Sequence, residues 1–457
     1  MAAPTRDCLI QHATEAAQAQ PSPKPRTDTV HRLIMMLASE TRDEEARALA
    51  ARMGIPETEM NVVLAMGQAE DGRLDAALDT ASKPMGTQAR RNVLAAIATG
   101  FQYQGDNIRS REVVRKALEN VPADANGTVK LGAALMLAGI GDSDRAWELF
   151  EQITPALLPE HEQPMIPALL AALGERERAM STAESLWNSG HRDKAYTGVA
   201  GALALRGDFA GAFDAAEKIG SGGAYAQTIK SIGKHAVKLG KWPAFEARMP
   251  EMVAAARERG DLWQLATAFI SLKQLDAARA IAVELEASLA KAPKNQVMAQ
   301  YGVTATLYRK LGENTKALEI AHAARDRERA EGFRHALDLA RMLMDMGDAA
   351  GGREMLDLAL AQDGKRETTE FGRAISAMSL APVLAQAGEV DKAIALYDET
   401  PGMRNQDAQI GMMGAQLARE GHEGIAIRLL FGRLRNSPAF GELLVAVFAV
   451  LGPEMDT

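Results

Sequence analysis

A glycine that ends one apolar helix pattern and opens the next recurs along this chain at nearly constant spacing. It stands at Gly72 (EDGRLDAAL), Gly105 (YQGDNIRS), Gly141, Gly174, Gly207 (LRGDFAGAF), Gly240, Gly312, Gly347, Gly388 and Gly421, with Lys273 (SLKQLDAAR) once in the same place. Successive steps are 33, 36, 33, 33, 33, 33, 39, 35, 41 and 33 residues. A fixed period of this size is the mark of a stacked array. Five positions after nearly every turn comes a small residue, as at Ala77, Ser110, Ala146, Ala179, Ala212, Ala278, Ala317, Gly352, Ala393 and Ala426; Phe245 is the large exception. A small side chain there lets two helices cross closely.

Each unit therefore reads as a helical hairpin. The first helix is mostly apolar (199-VAGALAL-205) and the second amphipathic (145-RAWELFEQI-153). One hairpin cannot bury both faces, so units must stack, and stability sums over their interfaces. With an earlier turn near Thr41 the count reaches about twelve hairpins, over residues 28–435. Residues 1–27 read as a short helix at about 7–19 and a proline-rich linker, because the alternate prolines of PSPKPR (21–26) interrupt helical hydrogen bonding. Residues 436–457 read as a capping helix, at about 438–451, and a tail. The expected fold is all-α, with strands scarce.

Composition agrees. The chain is 47% hydrophobic and 25% charged, which argues against disorder, and aromatics are only 5%. A net charge of −8 opposes general nucleic-acid binding, since phosphate affinity comes from clustered Lys and Arg. One cysteine, Cys8, excludes an intramolecular disulfide framework and a multi-cysteine zinc site. No basic start with an apolar run follows Met1, and no stretch of about 18 apolar residues predicts a membrane span. A cytoplasmic, bacterial-type protein is expected, or a periplasmic one if an export signal was removed.

The pattern resembles tetratricopeptide repeats, whose signature places W-x2-L-G-x2-Y, then A-x3-F, then Pro over about 34 residues. Tyr301, Thr304, Ala305 and Tyr308 fall at the first four places and Ala317 and Ala321 at the next two; Ala146 with Phe150 and Ala393 with Tyr397 match the second helix. Pro122 takes the terminal proline place. No copy is complete, and the first-helix tryptophan is absent throughout. The resemblance implies a right-handed superhelix, first helices lining its inner face, and a role in holding peptides or partner proteins. The clamp that some members use for a C-terminal carboxylate needs Lys and Asn at set first-helix places. Ala95 with Thr99 and Leu131 with Leu135 stand there instead, and no copy has the pair.

Other short strings read as structure. His191-Arg192-Asp193 spells a kinase triplet without the glycine loop, strand lysine or DFG that would support it. The glycines of 219-IGSGGAY-225 lie between helices and read as a flexible turn. No histidine set has metal-ligand spacing, and no cofactor is expected. The Met-rich runs 342-MLMDM-346 and 411-GMMG-414 read as core, with a binding face as the alternative. The two Arg-Gly-Asp strings, at Gly207 and Gly260, read as stop-turn-start punctuation.

Counting from the turns puts Lys230 and Lys234 at inward places of one unit, Trp263 at the matching place of the next, and Arg334 and Arg341 two units later. These are the candidate partner-binding residues. They read either as solvated helix-end cations or as a groove for an acidic or extended protein segment. The expectation is a non-catalytic scaffold or adaptor with a protein or peptide partner, no nucleic acid and no membrane span. A ligand-sensing solenoid is the alternative, and an RNA-binding helical repeat stands behind both.

Overall fold

The structure is a computed structural model that describes residues 6–19, 23–118, 125–293, 296–330, 332–363, 370–400, 406–419 and 422–430, with positions 434, 437, 440, 443, 444 and 447. The chain divides into two compact units, one of Met1–Gly100 with Ala321–Thr457 and one of Phe101–Ile320. The dividing lines fall inside helices.

The first unit opens with α1 (Arg6–Ala19), α2 (Pro23–Ser39), α3 (Asp43–Arg52), α4 (Glu57–Glu70), α5 (Leu74–Ser82) and α6 (Thr87–Tyr103). The second unit runs through α7 (Asn107–Leu118), α8 (Gly127–Gly139), α9 (Ser143–Phe150), α10 (Met165–Ala172), α11 (Arg176–Glu184), α12 (Ser189–Leu205) and α13 (Phe209–Glu217). It continues with α14 (Gly222–Lys238), α15 (Trp242–Glu246), α16 (Met249–Glu258), α17 (Leu262–Ser271), α18 (Leu275–Ser288) and α19 (Val297–Lys310). Then come α20 (Asn314–Ala330), α21 (Ala336–Asp345), α22 (Ala349–Asp363), α23 (Glu370–Gln386), α24 (Val390–Glu399), α25 (Gln406–Arg419) and α26 (Glu423–Arg428). Among the described residues no strand occurs.

Every described turn of the period has one geometry. Nine turn glycines, from Gly72 to Gly388, have φ between 64° and 95°; Thr41 and Lys273 take the same left-handed conformation at 62° and 60°. Gly207 N–H donates to the Ala204 carbonyl at 3.0 Å and Asp208 N–H to the Leu203 carbonyl at 2.9 Å. This pair of bonds satisfies two orphan carbonyls at the helix end. It repeats at every described turn, including Lys273 N–H to Ile270 and Gln274 N–H to Phe269. Gly421 lies outside the described residues, as does Pro122.

The small fifth position is the tightest place in each hairpin. Ala46, Ala77, Ser110, Ala146, Ala179, Ala212, Ala278, Ala317, Ala393 and Ala426 are all 0% exposed. Phe245 is 0% exposed as well. Its ring reaches α14 at Gly233, where an added Cβ would lie 3.1 Å from Phe245 Cζ and 2.5 Å from Leu272 Cδ1. A glycine on the facing helix thus makes room for the one large residue.

First helices stack on first helices: α2 on α4, and α8, α10, α12, α14, α17 and α19 in sequence, then α21, α23 and α25. Each of the pairs α10–α11, α12–α13, α17–α18, α21–α22 and α23–α24 closes a hairpin. Tyr301, Thr304, Ala305 and Tyr308, the residues of the tetratricopeptide resemblance, are all buried in α19.

Two expectations are corrected. Pro23 and Pro25 do not interrupt a helix, because they begin one. A helix's first N–H groups have no internal partner, so proline there removes nothing. The second helix of the Gly240 unit is broken into α15 and α16, with Pro250 inside the first turn of α16. At the C-terminal end, Phe440, Leu443, Leu444 and Val447 are helical and fully buried. Leu443 packs at Gly414 of α25, where a Cβ would meet its Cδ2 at 2.8 Å. The remainder of 438–451 lies outside the described residues.

Candidate functional site

The second unit contains a shallow groove of about 180 Å³ between α14 and α17, lined by Gly223, Ala226, Gln227, Lys230, Trp263, Gln264, Thr267, Ala268 and Ser271. Lys230 and Trp263, chosen from the period alone, thus share one site. Their equivalence is geometric, since each stands ten residues before its turn residue, Gly240 or Lys273. Gln227 and Thr267 belong to the same count, thirteen and six residues before the turn, and the candidate list omitted them. Lys234 stands one turn beyond Lys230, exposed and outside the lining.

The glycines of 219-IGSGGAY-225 shape this groove. They form no flexible turn. Ser221 caps α14, its hydroxyl accepting from Ala224 N–H at 3.4 Å, and Gly222 and Gly223 are the first helical residues. A Cβ on Gly222 would fall 1.7 Å from Asp261 Oδ2, and one on Gly223 2.7 Å from Gln264 Oε1. Bare backbone is required because the start of α17 presses against the start of α14.

Trp263 keeps 40% of its surface exposed. Lys230 and Lys234 make no hydrogen bond or ion pair among the described residues. On the first helices themselves the charge is one-sided, the Asp261 carboxylate at the start of α17 standing outside them and accepting from Gln264 at 3.1 Å. The first helices α8, α10, α12, α14, α17 and α19 carry Lys130, Arg192, Lys194, Lys230, Lys234, Lys238, Arg309 and Lys310, against Asp193 as their single carboxylate. Asp193 is itself occupied, accepting from Gly220 and Ser221 N–H at 2.9 Å each. Many of the unit's carboxylates sit on its second helices or in the turns that open them, where they form ion pairs such as Arg257 with Glu284 and Arg279 with Glu313. The Glu284 carboxyl is held below its ordinary range, chiefly by its bond from Arg257.

Arg334 and Arg341 belong to the other compact unit. Arg334 is exposed in the turn before α21, and Arg341 is half-buried on α21. Of the five candidates the groove therefore gathers Lys230 and Trp263, with Lys234 beside them on α14.

The remaining strings resolve as structure. Asn188 caps α12 at His191 N–H, Arg192 reaches the Leu186 carbonyl at 2.9 Å, and Asp193 caps the neighbouring helix. In the first Arg-Gly-Asp string, Arg206 donates to the Ala172 carbonyl at 2.8 Å and Asp208 accepts from Gly211 N–H at 2.9 Å. In the second, Arg259 donates to the Glu217 and Ile219 carbonyls and lies 4.5 Å from the Tyr225 ring centroid. Burial pushes that phenol up to about 12. Met342 and Met346 are buried, while Met412 is 52% exposed beside buried Met413. Among the described residues no three His, Cys, Asp or Glu side chains gather as metal ligands, and no helix is long and apolar enough to cross a membrane.

No protein-family model and no curated protein matches the chain. Among solved structures it is similar to a chain of the APC/C hetero-tetramer Cut9–Hcn1, at 13% identity over 93% of this chain and 90% of that one, TM-score 0.26. Yeast Tom70 is similar at 11% identity over 98% and 96%, TM-score 0.29. The pentatricopeptide repeat protein PPR10, solved with an 18-nt psaJ RNA element, is similar at 12% identity over 90% and 79%, TM-score 0.20. At such identities and scores these likenesses say nothing of function. The period, the repeated turn and the stacking of first helices on first helices establish the fold on this chain's own residues: an all-α, tetratricopeptide-like helical repeat.

Proposed function

We propose that the protein is a non-catalytic interaction scaffold that holds an extended, acidic segment of a partner protein in the α14–α17 groove. One observation carries this reading. Among the described residues Lys230 and Lys234 have no intramolecular partner; they stand beside an exposed indole, on helices without carboxylates, in a chain of net charge −8. A carboxylate from outside would form charge-assisted hydrogen bonds with them, while Trp263 supplies an apolar platform. The amides of Gln227 and Gln264 and the hydroxyls of Thr267 and Ser271 can satisfy an extended backbone.

The test uses a synthetic glutamate-rich peptide and calorimetric titration. Combining Lys230→Glu with Lys234→Glu should weaken binding at least about 100-fold at low salt, while the thermal midpoint stays within about 2 °C. Unchanged affinity would sink the reading. So would tighter binding of a single-stranded RNA of equal charge, which would assign the lysines and the stacking indole to nucleic acid.

A further inference from the structure

Lys230, Lys234 and Lys238 are spaced by four residues and so lie along one face of α14. The third differs from the other two. Lys238 Nζ donates to the main-chain carbonyl of Gln102, 136 residues away, in the last turn of α6. That carbonyl also accepts from Gly105 N–H at 3.0 Å, and the Gln102 side chain donates to the Gly139 carbonyl at the end of α8 at 3.1 Å. Gln102 is therefore a junction for the C-terminal ends of three first helices. Those ends carry the negative pole of the helix dipole, and the Gln102 carbonyl has a second lone pair beyond the one that accepts from Gly105, so an ammonium is attracted there. α14 otherwise packs on α12, α13, α15, α16 and α17, its neighbours in the stack. The Lys238 bond, at an exposed position, reaches instead to a repeat four turns earlier. Partial burial holds the ammonium below its usual range.

We propose that the Lys238–Gln102 bond is a latch, and that an acidic segment lying along α14 competes with the Gln102 carbonyl for Lys238, so that filling the groove releases the end of α6. The competition rests on the function proposed above; the latch does not. Along an extended segment the side chain two residues on from a carboxylate held by Lys230 and Lys234 lies about 7 Å further, close to the ~6 Å step to Lys238, and a carboxylate is a stronger acceptor for an ammonium than a neutral carbonyl. The third rung of the lysine ladder is thus occupied from within until a ligand takes it.

Hydrogen exchange of the full chain, read by mass spectrometry, separates the two parts. Without ligand, Lys238→Met should exchange about tenfold faster than the parent protein at the amides of Gly105 and Asp106, the loss expected when a charge-assisted bond over that turn is removed. Equal exchange would overturn the latch. Adding the glutamate-rich peptide to the parent protein should accelerate the same amides and should change nothing further there in Lys238→Met. Peptide that binds without that acceleration overturns the competition. Peptide that does not bind overturns the groove reading and the competition with it, while the ligand-free comparison still decides the latch.

Discussion

At Gly207 and at Gly260 the same three residues mark different borders, one within a hairpin and one between hairpins, with a parallel division of labour that differs at the aspartate: Asp208 caps its helix by a side-chain bond, whereas Asp261 accepts from Gln264. The arginine docks on carbonyls of a preceding repeat, the glycine takes a left-handed φ of 85° or 72°, and the aspartate begins the next helix. The sequence shows the punctuation because left-handed φ and helix starts select few residue types. It does not show where the arginines go, because that depends on residues 34 to 42 positions away. Asp348 extends the theme to charge. Its carboxyl accepts from Gly351 N–H at 2.8 Å and meets His322 Nε2 at 2.9 Å, and these two contacts, the backbone bond foremost, hold it below the ordinary carboxylate range against the opposing pull of burial. A depressed carboxylate stabilises the fold above its unfolded-state titration and loses that contribution as pH falls through its folded one. Asp348→Ala should therefore cost about 1 kcal/mol in urea unfolding at pH 7, and the gap should narrow steadily below about pH 4. A gap that is the same at pH 7 and pH 3 would contradict the assignment.

The helices themselves were legible wherever local pattern decides them. The turn residue and the buried fifth position recur at readable spacing, and Tyr301, Thr304, Ala305 and Tyr308 are core residues as the resemblance implied. Two of the errors came from proline, and a third from the glycines that begin α14. In PSPKPR the alternate prolines suggested a linker, although Pro23 and Pro25 occupy a first helical turn, and Pro250 similarly opens a new segment within a second helix. A proline excludes a helix interior but permits a helix start, and neighbouring residues alone do not say which applies. The Phe245 exception was visible in sequence, whereas its compensation at Gly233 needed the packing of α14 on α15 and α17. Gly233→Val should cost about 2 kcal/mol by overpacking against Leu272 and Phe245. Combining it with Phe245→Leu should recover about half of that loss in urea denaturation, since the ring is one of the two obstacles. Strict additivity of the two changes would show that the ring and the glycine do not share that space.

On the scale of the molecule, the proposed function rests on how charge is distributed between first and second helices. In the second unit carboxylates gather on the second helices and are almost missing from the first. This was readable once helix boundaries were known, and net charge alone concealed it, because −8 averages over both sets. The period put Lys230 and Trp263 at matching places, and both line one groove. It joined them to Arg334 and Arg341 only by analogy of place, and those two belong to the other compact unit. Among the described residues Lys230 and Lys234 have no partner beside the exposed indole, and the proposed groove rests on that placement. Photo-crosslinking tests this most directly: a benzophenone-bearing, glutamate-rich peptide is irradiated with the protein and the adducts are mapped by mass spectrometry. The account predicts adducts concentrated on α14 and α17, around Gln227, Lys230 and Trp263, and lost at high salt. Adducts centred on the second helices, or spread evenly along the chain, would contradict it.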